Sequence, residues 1–436
     1  MILRHRSFLY STLLLVMFGA SAFVIGQGTG QAPSTQSLKK SPEPSVPDSQ
    51  TARDWIRTKA IPLQTVEAGH GFTDLLPLKS IIGDKRVVAL GEATHGTREF
   101  FQLKHRMVEF LATQKGVTIF SMEADIPEAY RLNDFVLTGK GDAKELIKGM
   151  YFWNTQEVLD MVLWMREFNQ SGKGHIEFTG FDVQMQIPAA CLQIVRNFVQ
   201  AHDKDYSATL EPIYRDVAQM SKIPMVQGAK SVEKHLEENR ASFLQAGVTA
   251  KNLDWVIQNA HLVVQYSQLI AGGKTRDESM AENVKWIADH NPGAKLVLWA
   301  HNGHVQYQAQ GWHPMGEYLR KLFPGELFNF GFAFNQGSFR AVEPGKGLHE
   351  FTVATAPEGS LDQTLAATGI ALLALDLHQL PNEGPVAKWF DQPHVSRSIG
   401  AIYSEASAAS YFLNARPQDE FDAILFVNKT TAARGN

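Results

Sequence analysis

The feature that most constrains this chain is a strand, a helix and a second strand in immediate succession. VVAL at 87–90 is a short β-branched run, and REFFQLKHRMVEFLATQKG follows with Phe100, Leu103, Met107, Val108 and Leu111 at helical spacing. Gly116 stops the helix and VTIF begins at 117. Two strands joined by one crossover helix pair in parallel, which lays the helix on a face of the sheet. Further candidate strands are HIEFTGF at 175–181, AKLVLW at 294–299, LFNFGFAF at 327–334, IALLALDL at 370–377 and AILFV at 423–427. The expected fold is α/β, a three-layer domain with a mostly parallel central sheet flanked by helices. From Ile187 to Asp289 the pattern stays helical, far beyond the length of one crossover, and reads as an insertion capping the carboxyl edge of the strands. No internal repeat interrupts this organisation.

Ionisable residues fall where the strands end. The first strand runs into GEATHG (Gly91 to Gly96), the second into Glu123 and Asp125, the third into Asp182, and the fourth into His301, Asn302, Gly303 and His304. Ligands of open parallel sheets bind at the carboxyl ends of the strands, so four segments deliver acids and imidazoles to one edge. Within GEATHG the glycines suit a sharp turn out of the strand, and Thr97 suits an N-cap for a helix starting at Arg98. Glu92 and His95 are close enough on such a turn for the carboxylate to fix the imidazole tautomer, which makes His95 a candidate general base. His301 and His304 suit metal binding, carbonyl orientation or oxyanion stabilisation, and the spacing leaves these open. Lys104, nine residues past His95, is by pattern alone a solvated lysine. Phe152, Trp153, Trp299 and Trp312 are by default core residues, with Trp153 retained as a candidate substrate wall.

Composition removes several function classes. Lys+Arg 41 against Asp+Glu 45 gives a net charge of -4, without the basic excess that phosphate backbones require. One cysteine, Cys191, excludes an internal disulfide framework and a multi-thiolate metal cage. There is no G-x-S-x-G elbow, P-loop, H-E-x-x-H or dinucleotide fingerprint after a strand, which disfavours serine hydrolases, NTPases and nicotinamide enzymes. Arg4, His5 and Arg6 precede an uncharged run from Phe8 to Ile25, so residues 1–27 read as a secretory signal peptide, or as an N-terminal anchor if uncleaved. Residues 28–54, rich in Gly, Ser, Pro and Gln, read as a flexible linker. The folded part, 55–434 with its 187–289 insertion, is then expected to work outside the cytoplasm, periplasmic or secreted. No other run is long and apolar enough to span a bilayer.

Taken together, GEATHGTREFFQLKHRMVEFL, the strand ending in Glu123, FWNTQEVLDMVLWMREFN, GFDVQ, RDESMAENVKWI, KLVLWAHNGHV and the terminal FDAILFVNKTTAAR resemble the erythromycin esterase family. The resemblance is collinear from Pro62 to Arg434. It implies an α/β fold with a helical insertion and the opening of macrolide lactones by water, with His95 as base and Glu92 as its partner. It further implies Glu123 as an active-site carboxylate and His301 and His304 as substrate-positioning or oxyanion groups. Lys104, Asp182, Arg276 and Trp153 are the candidate substrate-binding residues. Lys104 stands where some members carry arginine, and a lysine offers a point charge in place of a planar fork.

The expected activity is hydrolysis of a small-molecule ester or lactone without a resident cofactor, a divalent metal on the histidines being the alternative. Two other readings stay open: an exported, non-catalytic binding protein for a macrocycle, polysaccharide or haem-like ligand, and a metal-dependent hydrolase of cell-envelope esters.

Overall fold

A computed structural model describes residues 49–183, 187–219 and 224–436. The stretch read as a leader and most of that read as a linker lie outside these residues; the first described helix, Ser49–Lys59, begins within the stretch read as linker. In chain order the strands are β1 (Ile61–Pro62), β2 (Val87–Leu90), β3 (Val117–Asp125), β4 (Glu177–Asp182), β5 (Lys295–Trp299), β6 (Leu327–Glu343), β7 (Gly347–Val353), β8 (Leu372–Asp376), β9 (His394–Arg397), β10 (Phe412–Ala415) and β11 (Ala423–Thr430). Nine of them form one sheet in the order β1-β8-β11-β6-β2-β5-β3-β4, with β7 paired to β6, while β9 and β10 pair separately. From β11 to β4 every neighbouring pair is parallel. The α/β fold with a mostly parallel central sheet is therefore present, and β8 and β7 add antiparallel margins.

Alternation builds the layers. In β2, Val88 and Leu90 enter the core shared with helices Arg98–Lys115 and Gln156–Gln170, while Val87 and Ala89 face Arg276–Asp289, Met315–Leu322 and Ser49–Lys59. A strand buried on both faces must be apolar at every position, which is why VVAL is a continuous run. Helix Arg98–Lys115 stops where Gly116 takes φ 70°, its N–H bonding Leu111 O. Its start departs from expectation, because the Thr97 side chain makes no cap bond and Thr97 Oγ1 lies 3.1 Å from Thr94 Oγ1.

The helices from Ile187 to Ile270 pack around a core of their own that includes Val195, Tyr214, Val232, Leu253 and Val263. Helix Arg276–Asp289 instead sends Met280, Val284 and Ile287 into the sheet's second face. This helical cluster, which also takes in Ile126 and Val183, ends at Ile270, whereas the 187–289 insertion read from pattern includes a helix that joins the sheet's core; pattern cannot tell which core a helix joins. Among the described residues no helix is long and apolar enough to cross a membrane.

Candidate active site

The parallel register brings Leu90, Trp299, Phe330 and Met122 level across four strands, so the residues after them converge at one edge. Gly91 and Gly96 are needed there for closeness, since neither adopts a positive φ. A Cβ on Gly91 would lie 2.2 Å from Asn302 Oδ1, and one on Gly96 would lie 2.0 Å from the Arg340 carbonyl oxygen. The glycines, expected to serve a sharp turn, thus also let the turn sit against neighbouring chain segments. Glu123 sits in an irregularity of the β3 to β4 register between Met122 and Asp125, a local extra residue that re-aims a side chain.

One half of the site is organised by Glu92. Its Oε1 accepts from His95 Nδ1 at 2.7 Å, and its Oε2 accepts from Lys104 Nζ at 2.7 Å and Trp299 Nε1 at 3.0 Å. With Nδ1 donating, the neutral His95 ring carries its lone pair on Nε2. Lys104 faces inward on its helix, fully buried beneath Glu92, with Nζ 4.3 Å from the centre of the Trp299 ring. Burial lowers this lysine to about 8, although Glu92 favours its charge. Expected to meet substrate, Lys104 has no exposed surface to do so, and it fixes the carboxylate that fixes His95.

The other half is organised by Glu123. Its Oε1 accepts from Arg276 Nη2 at 2.8 Å and lies 3.3 Å from His304 Nε2, while Oε2 accepts from the His301 backbone N–H at 2.8 Å. Burial alone would raise the Glu123 carboxyl, but the charges of His304 and Arg276, joined by His95 whenever that ring is protonated, hold it well below the usual carboxylate range. Arg276 also forks onto Asp182, Nε to Oδ1 at 2.8 Å and Nη2 to Oδ2 at 2.7 Å. Asp182 is thereby buried as an anchor for Arg276, whose own side chain keeps 28% of its surface exposed. Trp153 is also inside: its Nε1 donates to Glu123 O at 3.1 Å and its ring meets His95 edge-on, centroids 5.1 Å apart.

The two halves meet at His301 and His304. His301 Nδ1 accepts from Gly303 N at 3.1 Å, so the neutral ring carries its proton on Nε2. Among the described residues that Nε2 is buried without a partner in full hydrogen-bonding geometry, the Ala93 backbone being near enough to favour a protonated ring. Burial, reinforced by the neighbouring His95, lowers His301 to about 3 and keeps it neutral. Its ring lies 5.2 Å from that of His95. His304 Nδ1 donates to Asp277 Oδ1 at 2.7 Å, and its Nε2 lies 2.9 Å from Arg276 Nη1. Burial opposes a charge on His304, but Asp277 and Glu123 outweigh it and raise the imidazole to about 10.

Sequence reading missed Asp277. An acid in the first turn of a helix is ordinary complementarity to the helix dipole, so nothing in its position marks it out. Trp299, read as core, also bonds Glu92. Among the described residues no three His, Cys, Asp or Glu side chains are disposed to hold a cation. The nitrogens of His304 and Nδ1 of His301 already face donors or acceptors of the protein, so this donor set does not fit a metal.

Residues 112–430 match the sequence profile described as erythromycin esterase, a segment that begins after Glu92, His95 and Lys104. An erythromycin esterase type II of Escherichia coli is 22% identical over 87% of this chain and 98% of its own. A crystal structure of a Bacillus cereus protein superposes with TM-score 0.79 at 24% identity, covering 89% of this chain and 99% of that one. A mutant erythromycin esterase in its open conformation gives TM-score 0.61 at 16% identity, over 83% of this chain and 94% of the other. These structural likenesses establish a shared fold.

Proposed function

Because the chain belongs to the erythromycin esterase family, we propose that it hydrolyses carboxylic esters, macrolide lactones among them, with His95 taking the proton of the attacking water. One observation carries this reading: an imidazole with its Nδ1 bonded to Glu92 stands 5.2 Å from a second ring whose Nε2–H has no hydrogen-bond partner among the described residues. An ester carbonyl placed against the edges of both rings would receive hydroxide from the His95 side and rest its developing oxyanion on His301. Lys104 and Trp299 hold Glu92 in place, so the His95 ring keeps its Nδ1–H on Glu92 and turns its Nε2 lone pair outward. General-base assistance is worth about 10²- to 10⁴-fold, and one oxyanion donor about 10²- to 10³-fold. The proposal includes export, on the strength of the leader-like residues 1–27.

The test is mass spectrometry of a macrolide panel incubated with the purified chain, with and without chelator, beside His95→Ala. The expected result is a gain of one water, retained under chelator and lost in the folded variant. Undiminished turnover by His95→Ala removes the base assignment, and loss under chelator moves the histidines to a metal. Binding of a macrolide without conversion supports the exported binding protein instead.

A further inference from the structure

His304 differs from the other two imidazoles in having a partner for each of its protonation states. Protonated at both nitrogens, it donates from Nδ1 to Asp277 Oδ1 at 2.7 Å and holds Nε2 in ion-pair range of Glu123 Oε1 at 3.3 Å. Once Nε2 has released its proton, the nitrogen accepts from Arg276 Nη1, already 2.9 Å away. In both states Nδ1–H stays on Asp277, so the proton that comes and goes belongs to Nε2. Asp277 is itself fixed, buried and accepting from Met315 N at 2.8 Å as the next helix begins. The His304 side chain keeps 16% of its surface exposed, whereas Glu92 and Lys104 keep none.

We propose that Asp277 is a positioning residue that holds His304 as proton donor to the departing alkoxide, so that acid and base are divided between His304 and His95. The assignment rests on the hydrolase reading above. The charged and titratable groups facing His304 are Asp277 and Arg276 from their shared helix, Glu123 from β3, and His301 from its own turn, with the Trp312 ring edge-on at 6.3 Å. In the reaction, water gives one proton to His95 Nε2 and its oxygen bonds to the carbonyl carbon. Collapse of the tetrahedral adduct breaks the bond to the alkoxide oxygen, which takes the proton from His304 Nε2. The carboxylic acid product and His95 then hold one proton each; one restores His304 and the other leaves to solvent.

The role is read by comparing leaving groups. An alkyl alkoxide needs a proton as it departs, while a nitrophenolate departs as the anion. On ethyl acetate and p-nitrophenyl acetate, Asp277→Asn is expected to lower kcat/KM for the ethyl ester at least about a hundredfold, and to change the ratio of the two rates at least about tenfold. The alkaline limb of the ethyl-ester pH profile moves to lower pH in the variant, because the charge that favoured protonated His304 is gone, and Asp277→Glu restores part of both effects. If Asp277→Asn does not fold, His304→Gln carries the same comparison with the Asp277 to Met315 bond retained. Equal losses on the two esters, or no loss on either, overturn the proposal. Equal losses in His95→Ala are expected, and their absence there removes the base reading alone. A wild-type chain inert toward both esters and toward the macrolide panel overturns the hydrolase reading and the role of Asp277 together.

Discussion

The two carboxylates that organise the site are assembled in opposite ways. Glu92 takes its partners chiefly from one stretch of chain, His95 three residues on and Lys104 one helix further, with Trp299 alone arriving from elsewhere. Glu123 takes Arg276, the His301 backbone and His304 from segments more than a hundred residues away. The local half is legible as a motif, and the distant half exists only once the sheet has closed. They differ in access as well. Glu92 and Lys104 have no exposed side-chain surface, whereas Arg276 and His304 keep a share of theirs. The local half thus sets up one base from within, and the distant half borders on whatever enters.

The sharpest way to break this comparison is to neutralise each carboxylate's arrangement in turn. Glu92→Gln should lower ester turnover by about 10²- to 10⁴-fold through its effect on His95, and it also strands Lys104 inside. Adding Lys104→Met should recover stability without recovering turnover, as read by urea unfolding beside initial rates. If the double variant regained activity, the tie between Glu92 and His95 would carry no catalytic weight. The next effect is on the distant half. Arg276→Met leaves Asp182 and Glu123 short of their shared cation, and breaking a buried pair of this kind costs about 3 kcal/mol. Chemical denaturation should show that loss, and an unchanged midpoint would mean that the fork onto Asp182 and Glu123 holds nothing together.

The smallest effect is a pH slope. His304 is raised to about 10 from an ordinary 6.5, so its contribution to stability is complete below 6.5 and drains away as the pH rises toward 10. Between pH 6.5 and 8 this amounts to about 2 kcal/mol. Lys104, lowered to about 8, acts with the opposite sign, but only above that pH, where the unfolded chain binds more protons. His261 in the helical unit, raised against burial to about 9 by Glu233 and Glu282, adds a slope of the same sign as His304. The difference between wild type and Asp277→Asn across pH 6.5 to 8 therefore isolates His304. Unfolding curves at those pH values should be steeper in pH for the wild type, and parallel lines would remove Asp277 as the source of the shift.

Much of the fold was open to pattern reading because buried parallel strands must be apolar throughout. β2, β3, β5, β6 and β11 all fall on the runs picked out for that reason. β8 was found as a strand, but its antiparallel place beside β11 was not, since an apolar run carries no direction. The hairpin of β6 with β7 went unread because only Phe351 and Val353 of β7 are buried, and GLHEFTV carries no continuous apolar run. In the site, Lys104 was misjudged as solvated because a lone lysine on a helix usually is. Its burial follows from Glu92 and the Trp299 ring, neither of which helical spacing reveals. Asp277 had no signal of its own.

What this sequence determined by itself is the order of strands and helices, the turn that sets His95 beside Glu92, and the delivery of acids and imidazoles to strand ends. These follow from local periodicity and short separations, which a linear chain states directly. Tertiary structure alone decided that Arg276 bridges Asp182 and Glu123, that His301 keeps an Nε2–H without a hydrogen-bond partner among the described residues, and that Asp277 and Glu123 charge His304. The physical reason is that charge state and hydrogen-bond partnership depend on distances of about 3 Å and on exclusion of water. Neither exists until segments remote in the chain are packed against one another.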